Sequence, residues 1–267
     1  MSRRGWFAGL LAATLGIAFV FLALPMVAIL VNTSPGALVD SLGDGESLDA
    51  LRLSLETSAV ALALIVVVGT PAAYLLATRS FRGRALVITV LELPLVLPPA
   101  VAGIALLAAL GPKGILGSAL ADAGVELVLA TAGVVVALTF VASPFYLRQA
   151  QAAFAAVDPT LLAAARTLGA GEARAFLRVA IPLARNGLAA GAALAWGRAL
   201  GEFGATLMFA GSLRGVTQTA PLAIYDRFAT DFPAALALSA VLLAVSAAVL
   251  LAVKLAAGPE ALGRARP

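Results

Sequence analysis

Long apolar runs separated by short charged loops set the pattern of this chain. A helix that crosses the hydrocarbon core needs about 20 predominantly apolar residues. Six stretches meet that need: 6–31, 57–78, 85–110, 127–147, 186–213 and 232–253. The first is uncharged and follows Arg3 and Arg4. It is too long for a cleaved leader and no convincing small-residue cleavage site follows it, so it reads as a retained helix. The stretch 31–53 carries Asp40, Asp44, Glu46 and Asp49 and reads as a loop, and 111–126 is a Gly-rich loop. Arg79, Arg82 and Arg84 fill a tight turn after the second span. Glu92, Pro94, Pro98 and Pro99 interrupt the third span, and Ser143-Pro144 the fourth. Proline frees backbone carbonyls, which is tolerated where protein or a cavity re-satisfies them. These spans are therefore either broken beside a pathway or simply kinked in a packed bundle. The pattern predicts one all-α membrane domain over 1–267 with six transmembrane helices.

Between the fourth and fifth spans lies a different texture. Over 158–182 Asp158 is a good N-cap and Pro159 suits the first helical position. Leu161, Leu162, Ala165 and Leu168 then share one face, with Arg166 on another. Gly169 and Gly171 break that helix, a second short one carries Ala173, Phe176, Leu177 and Ala180, and Pro182 ends it. Such a segment either docks onto a partner or lies on the lipid surface. After it Gly187, Ala189, Ala190, Gly191 and Ala193 permit close helix approach, as generic bundle packing or as a specific dimer contact.

Composition agrees with the membrane reading. The chain is 62% hydrophobic and 12% charged, against roughly 45–50% and 25% in soluble domains. With no Cys and no His, disulfides, thiol chemistry and Cys/His metal sites are excluded. Basic residues confined to short loops disfavour nucleic acid as a partner. Their placement also orients the chain. With the N-terminus inside, thirteen Lys/Arg fall on the cytoplasmic side: Arg3, Arg4, Arg79, Arg82, Arg84, Arg148, Arg166, Arg174, Arg178, Arg185, Lys254, Arg264 and Arg266. Four fall outside: Arg52, Lys113, Arg214 and Arg227. Both termini and the 158–182 segment are thus expected in the cytoplasm.

No phosphate-binding loop, zincin helix or nucleophile elbow occurs, so catalysis by this chain alone is not expected. Arg198 is the one basic residue within a span, and Glu202 lies four residues on, on the same helix face. A charge at mid-bilayer costs about 2.5–3.5 kcal/mol on insertion scales. Either the two merely neutralise each other, or they line a pathway where the cation attracts an anionic substrate and the carboxylate holds or gates.

AAARTLG at 163–169, nine residues, then VAIP at 179–182 resembles the cytoplasmic loop of ATP-binding-cassette importer permeases. Ala164, Ala165, Gly169 and Pro182 match that loop's Glu-Ala-Ala…Gly…Ile-x-Leu-Pro pattern, while Ala163 stands where the family has Glu. GRALGEFGATLMFAG and TQTAPLAIYD, over 197–211 and 217–226, resemble molybdate permeases within that family, and LELPLVLPPAVAGIALL resembles the matching segment of oxyanion permeases. The resemblance implies a type I importer bundle working as a homodimer in the cytoplasmic membrane of a prokaryote. It implies two cytoplasmic ATPase subunits, which hold the ATP and Mg, and a periplasmic or lipid-anchored molybdate-binding protein; this chain itself binds no cofactor. Ala164, Ala165, Arg166, Gly169, Ala170 and Pro182 would dock on the ATPase; Arg198, Glu202, Phe203 and Thr206 would lie on the pathway or gate. Gln218 and Thr219 would face the binding protein. Charge alone says only that the substrate is an anion. A sulfate or thiosulfate permease is the nearest alternative, with an ion-coupled secondary carrier and a structural membrane protein further off.

Overall fold

The computed structural model describes residues 3–256. Arg264 and Arg266 of the expected cytoplasmic cations lie outside the described residues, as do the side chains of Arg3, Arg4 and Lys254. The described residues form helices and turns without strands. α1 (Arg3–Asn32) is a long apolar helix, and its most apolar window has no buried residue. Ser34 caps α2 (Pro35–Gly43), its Oγ accepting from Ala37 N at 3.2 Å. Asp44 caps α3 (Gly45–Thr78), accepting from Ser47 N at 3.1 Å.

The expected loop over 31–53 is thus mostly helical, and the second span starts a dozen residues early. Asp44 is the cap that permits this, and after Gly45 no Gly or Pro interrupts the chain before the apolar run. Glu46, Arg52 and Glu56 are accommodated as exposed ion-pairing side chains. At 1.5 Å per residue the 34-residue α3 is about 50 Å long, well beyond the ~30 Å hydrocarbon core.

The third span divides into α4 (Arg84–Val96) and α5 (Pro99–Leu110), which meet at 120°. The cause is local. Leu97 and Pro98 each precede a proline and are extended, with ψ 132° and 138°. After α6 (Gly117–Asp122), α7 (Thr131–Ala155) forms the centre of the bundle, packed against α3 and α10. Its Tyr146 is fully buried and its hydroxyl lies 2.6 Å from Thr70 Oγ1 on α3.

The segment 158–182 holds α8 (Pro159–Thr167) and α9 (Glu172–Ala175). Pro182 does not end α9, as the sequence suggests. The chain stays helical through a π-turn at Phe176–Ala180 into α10 (Ile181–Leu200), with Ile181 N–H reaching back to Phe176 O. A proline cannot donate to the carbonyl four residues back and its ring crowds that carbonyl. A widened turn just before Pro182 absorbs the misfit. α10 then lies tightly on α7: a Cβ at Gly187 would come within 2.4 Å of Ala153 Cβ.

The expected fifth span, 186–213, is broken as well. α10 stops at Leu200, Gly201–Phe203 turns, and α11 (Gly204–Ala210) packs on α5 and α7. α12 (Ala220–Phe228) follows the loop at 211–219, and α13 (Phe232–Ala256) is the last long apolar helix. By length and apolarity α1, α3, α7 and α13 can each cross a bilayer, and the bent α4–α5 pair makes a fifth.

Candidate functional site

Two places gather the candidate residues. In the first, the segment 158–182, Asp158 caps α8 by accepting from Thr160 N at 2.8 Å, and this bond holds the exposed carboxyl below the usual carboxylate range. At the other end Ala170 N–H bonds back to Ala165 O, and Gly169 adopts a left-handed φ of +84°. The sequence places Leu161, Leu162, Ala165 and Leu168 on one face; the structure divides them. Leu162 is buried and Ala165 half-buried against the bundle, while Leu161 is exposed and Leu168 is 89% exposed. Ala164, Arg166 and Pro182 are exposed and Ala170 half-buried. Leu177 is 58% exposed, and Arg166, Arg174 and Arg178 have no acidic partner among the described residues. The result is an apolar and basic knob on a firmly packed base.

That base is tied to the bundle by contacts the sequence does not display. Glu172 of α9 pairs with Arg79 at the end of α3. Arg84 donates twice to Leu76 O, at 2.9 and 2.7 Å, satisfying a carbonyl of the last turn of α3. Glu92 on α4 lies 3.2 Å from Arg148 on α7, so the acidic residue of the third span has its partner in the fourth.

The second place is the turn between α10 and α11. Glu202 is 1% exposed. Its Oε1 accepts from Ala205 N at 2.7 Å, so the carboxylate caps α11. Its Oε2 lies 2.6 Å from Arg198 Nη2, an ion-pair contact that is not directed as a hydrogen bond, and that oxygen has no other polar neighbour. Arg198 keeps 27% of its side chain exposed. Phe203 stacks on Tyr225 of α12, with ring centroids 5.0 Å apart. Thr206 is buried with an unpartnered hydroxyl. Gln218 and Thr219 are buried too, at 6% and 2% exposure, in the strand of loop that Ser54 Oγ anchors by accepting from Ala220 N at 2.7 Å.

Beside that loop is an ion network the sequence reading missed. Arg227 pairs with Asp44 and lies 4.0 Å from Glu46; Arg214 lies 2.6 Å from Glu46 and 3.5 Å from Asp226. These groups line a cavity of about 290 Å³. The hydrogen bond from Arg227, then that from Ser47, lowers the Asp44 pKa to about 2. The available signal was opposite charge in two loops assigned to the same side of the membrane.

The described residues contain no cluster able to hold a metal ion. Comparison with known proteins supplies the family. Residues 65–257 match the model for the inner membrane component of binding-protein-dependent transport systems. The chain is 42% identical over 234 residues to the molybdenum transport system permease protein ModB of Mycobacterium tuberculosis, covering 88% of this chain and 89% of that one. It is 34% identical over 248 residues to the sulfate transport system permease protein CysW of Synechocystis, covering 92% and 90%. In fold it resembles a chain of a bacterial ABC transporter that imports alginate, with TM-score 0.75 at 18% identity over 96% of both chains. The family match over residues 65–257 and the 42% identity to a permease along most of the chain make it a member of the family of binding-protein-dependent transport system inner membrane components, a multi-pass permease subunit and not itself an enzyme.

Proposed function

We propose that the chain moves molybdate inward across the membrane as the permease of an ATP-driven importer. The observation that carries the substrate is the 42% identity to molybdenum permeases over 88% of the chain. The sulfate reading has weaker support, at 34% identity. Two copies would enclose one pathway, and six crossings would put both termini and the α8–α9 knob in the cytoplasm, with α10 as the sixth. The strong excess of Lys/Arg on that side supports this orientation.

The knob is the docking element for an ATPase subunit, which binds the ATP and Mg. Leu161, Leu168 and Leu177 need an apolar cleft, and Arg166 and Arg174 need acidic groups around it. Ala164, Ala165, Gly169, Ala170 and Pro182 give the knob its shape. Closure of the ATPases moves the knob and exchanges an inward-open for an outward-open bundle. On the pathway, Arg198 offers a partly open cation, Glu202 holds the turn, and Phe203 and Thr206 stand at the gate. Gln218 and Thr219 brace the loop that meets a substrate-loaded binding protein, itself periplasmic or lipid-anchored.

Uptake of labelled molybdate, in cells that also carry the neighbouring ATPase and binding protein, tests this. Uptake that resists excess sulfate and yields to tungstate is the expected result. Abolition by sulfate moves the chain to the sulfate branch, and no uptake of any oxyanion by an intact complex overturns the substrate class.

A further inference from the structure

The outer ion network and the polar turn share one element, α12. Three successive side chains of that helix reach in different directions. Tyr225 stacks on Phe203, Asp226 lies 3.5 Å from Arg214, and Arg227 pairs with Asp44 beside Glu46. The inner face of α12 packs Ala220, Ala223 and Ile224 on Ala50 and Leu51 of α3 and Leu238 of α13. Leu222 is buried as well, at 1% exposure, and the first backbone N–H of α12 is held by Ser54. Toward its far end α12 is less enclosed: Tyr225 and Phe228 are both 62% exposed, and Phe228 meets the Phe232 ring of α13 edge-on at 5.8 Å. What holds that end to the α2–α3 corner is the guanidinium of Arg227, 20% exposed and facing two carboxylates. The Arg214 pairs are far more open, at 62% exposure, and correspondingly screened.

We propose that Arg227, with Asp44 and Glu46, is a positioning group for the transport cycle. Its ion pairs fix α12 on α3 and, through Tyr225, set where Phe203 and the Glu202 turn sit. The inference rests on the assignment of that turn to the pathway. A protein docking on this end competes for the same charges, and α12, once released, takes the Phe203 ring with it.

The test uses the permease assembled with its ATPase and binding protein in proteoliposomes. Asp44→Asn with Glu46→Gln removes both charges facing Arg227, yet keeps a capping side chain for α3. In this background molybdate moved per ATP is expected to fall about fivefold while the binding protein still stimulates hydrolysis. Because the chain has no cysteine, Phe203→Cys with Tyr225→Cys gives a direct distance readout, and disulfide yield between the two falls when the charges are removed. With Asp44 and Glu46 intact, Arg227→Lys, which keeps the charge, retains most of the wild-type ratio, whereas Arg227→Gln does not. An unchanged crosslink and ratio, or uptake and hydrolysis falling in proportion, overturns the proposal. The crosslink is read without substrate, so a wild-type complex that moves no molybdate counts against the substrate assignment and leaves this test standing.

Discussion

Glu202 shows how much a single side chain can carry here. Its carboxylate is buried, caps α11 and neutralises Arg198. Removing one partner of a buried pair leaves an uncompensated charge. Arg198→Met should therefore destabilise the folded permease by about 3–5 kcal/mol, seen as a lower unfolding temperature in detergent. Glu202→Gln keeps an acceptor for Ala205 N and should cost less. The i,i+4 spacing made the ion pair legible from sequence. The capping role was not, because a cap exists only once the helix is known to break at Gly201. Asp44 raises a separate expectation. Its folded pKa of about 2 lies below the ordinary 3.8, so the stabilisation it provides is present above that value and is lost as pH falls through 2. Thermal unfolding of the purified protein between pH 5 and 8 should accordingly show no pH dependence from this group, while added salt should weaken its pairs.

At the scale of elements, the apolar periods located the long helices, and the end of α3 at Thr78 and the start of α13 at Phe232 fall where the sequence places them. Breaks were harder. Pro98 and Pro99 advertise the α4–α5 bend, but the angle of 120° depends on α11 packing against α5, a contact between distant segments. Pro182 signalled a stop and instead sits inside a continuous helix, because one π-turn costs less than abandoning the packing of α10 on α7. That packing rests on close approach, so Gly187→Val should overpack the seam with Ala153 and destabilise by about 1–3 kcal/mol, measured as loss of folded protein after detergent extraction. Gly169 makes the opposite case. Its φ of +84° is closed to proline, and its N–H bonds Arg166 O. Because the site is exposed, Gly169→Pro should abolish uptake while leaving the amount of permease in the membrane near wild type.

For the whole molecule, charge placement and apolar content were enough to name a polytopic helical protein, since both are sums over many residues and tolerate local errors. The ion pairs between elements were not readable, because each joins positions tens of residues apart with nothing periodic to link them. They matter most along α3. This single helix, with Pro71 inside it, is capped by Asp44 of the Arg227 ion network at one end and finishes beside Arg79, which holds Glu172 of the α8–α9 knob, at the other. A helix held at both ends links the two sites, and in the proposed orientation it joins the two faces of the membrane in one free-energy account. Whatever factor nucleotide binding below adds to the affinity for the docking protein above, docking must return to nucleotide affinity. Measuring both binding constants in one reconstituted complex should therefore give the same ratio twice.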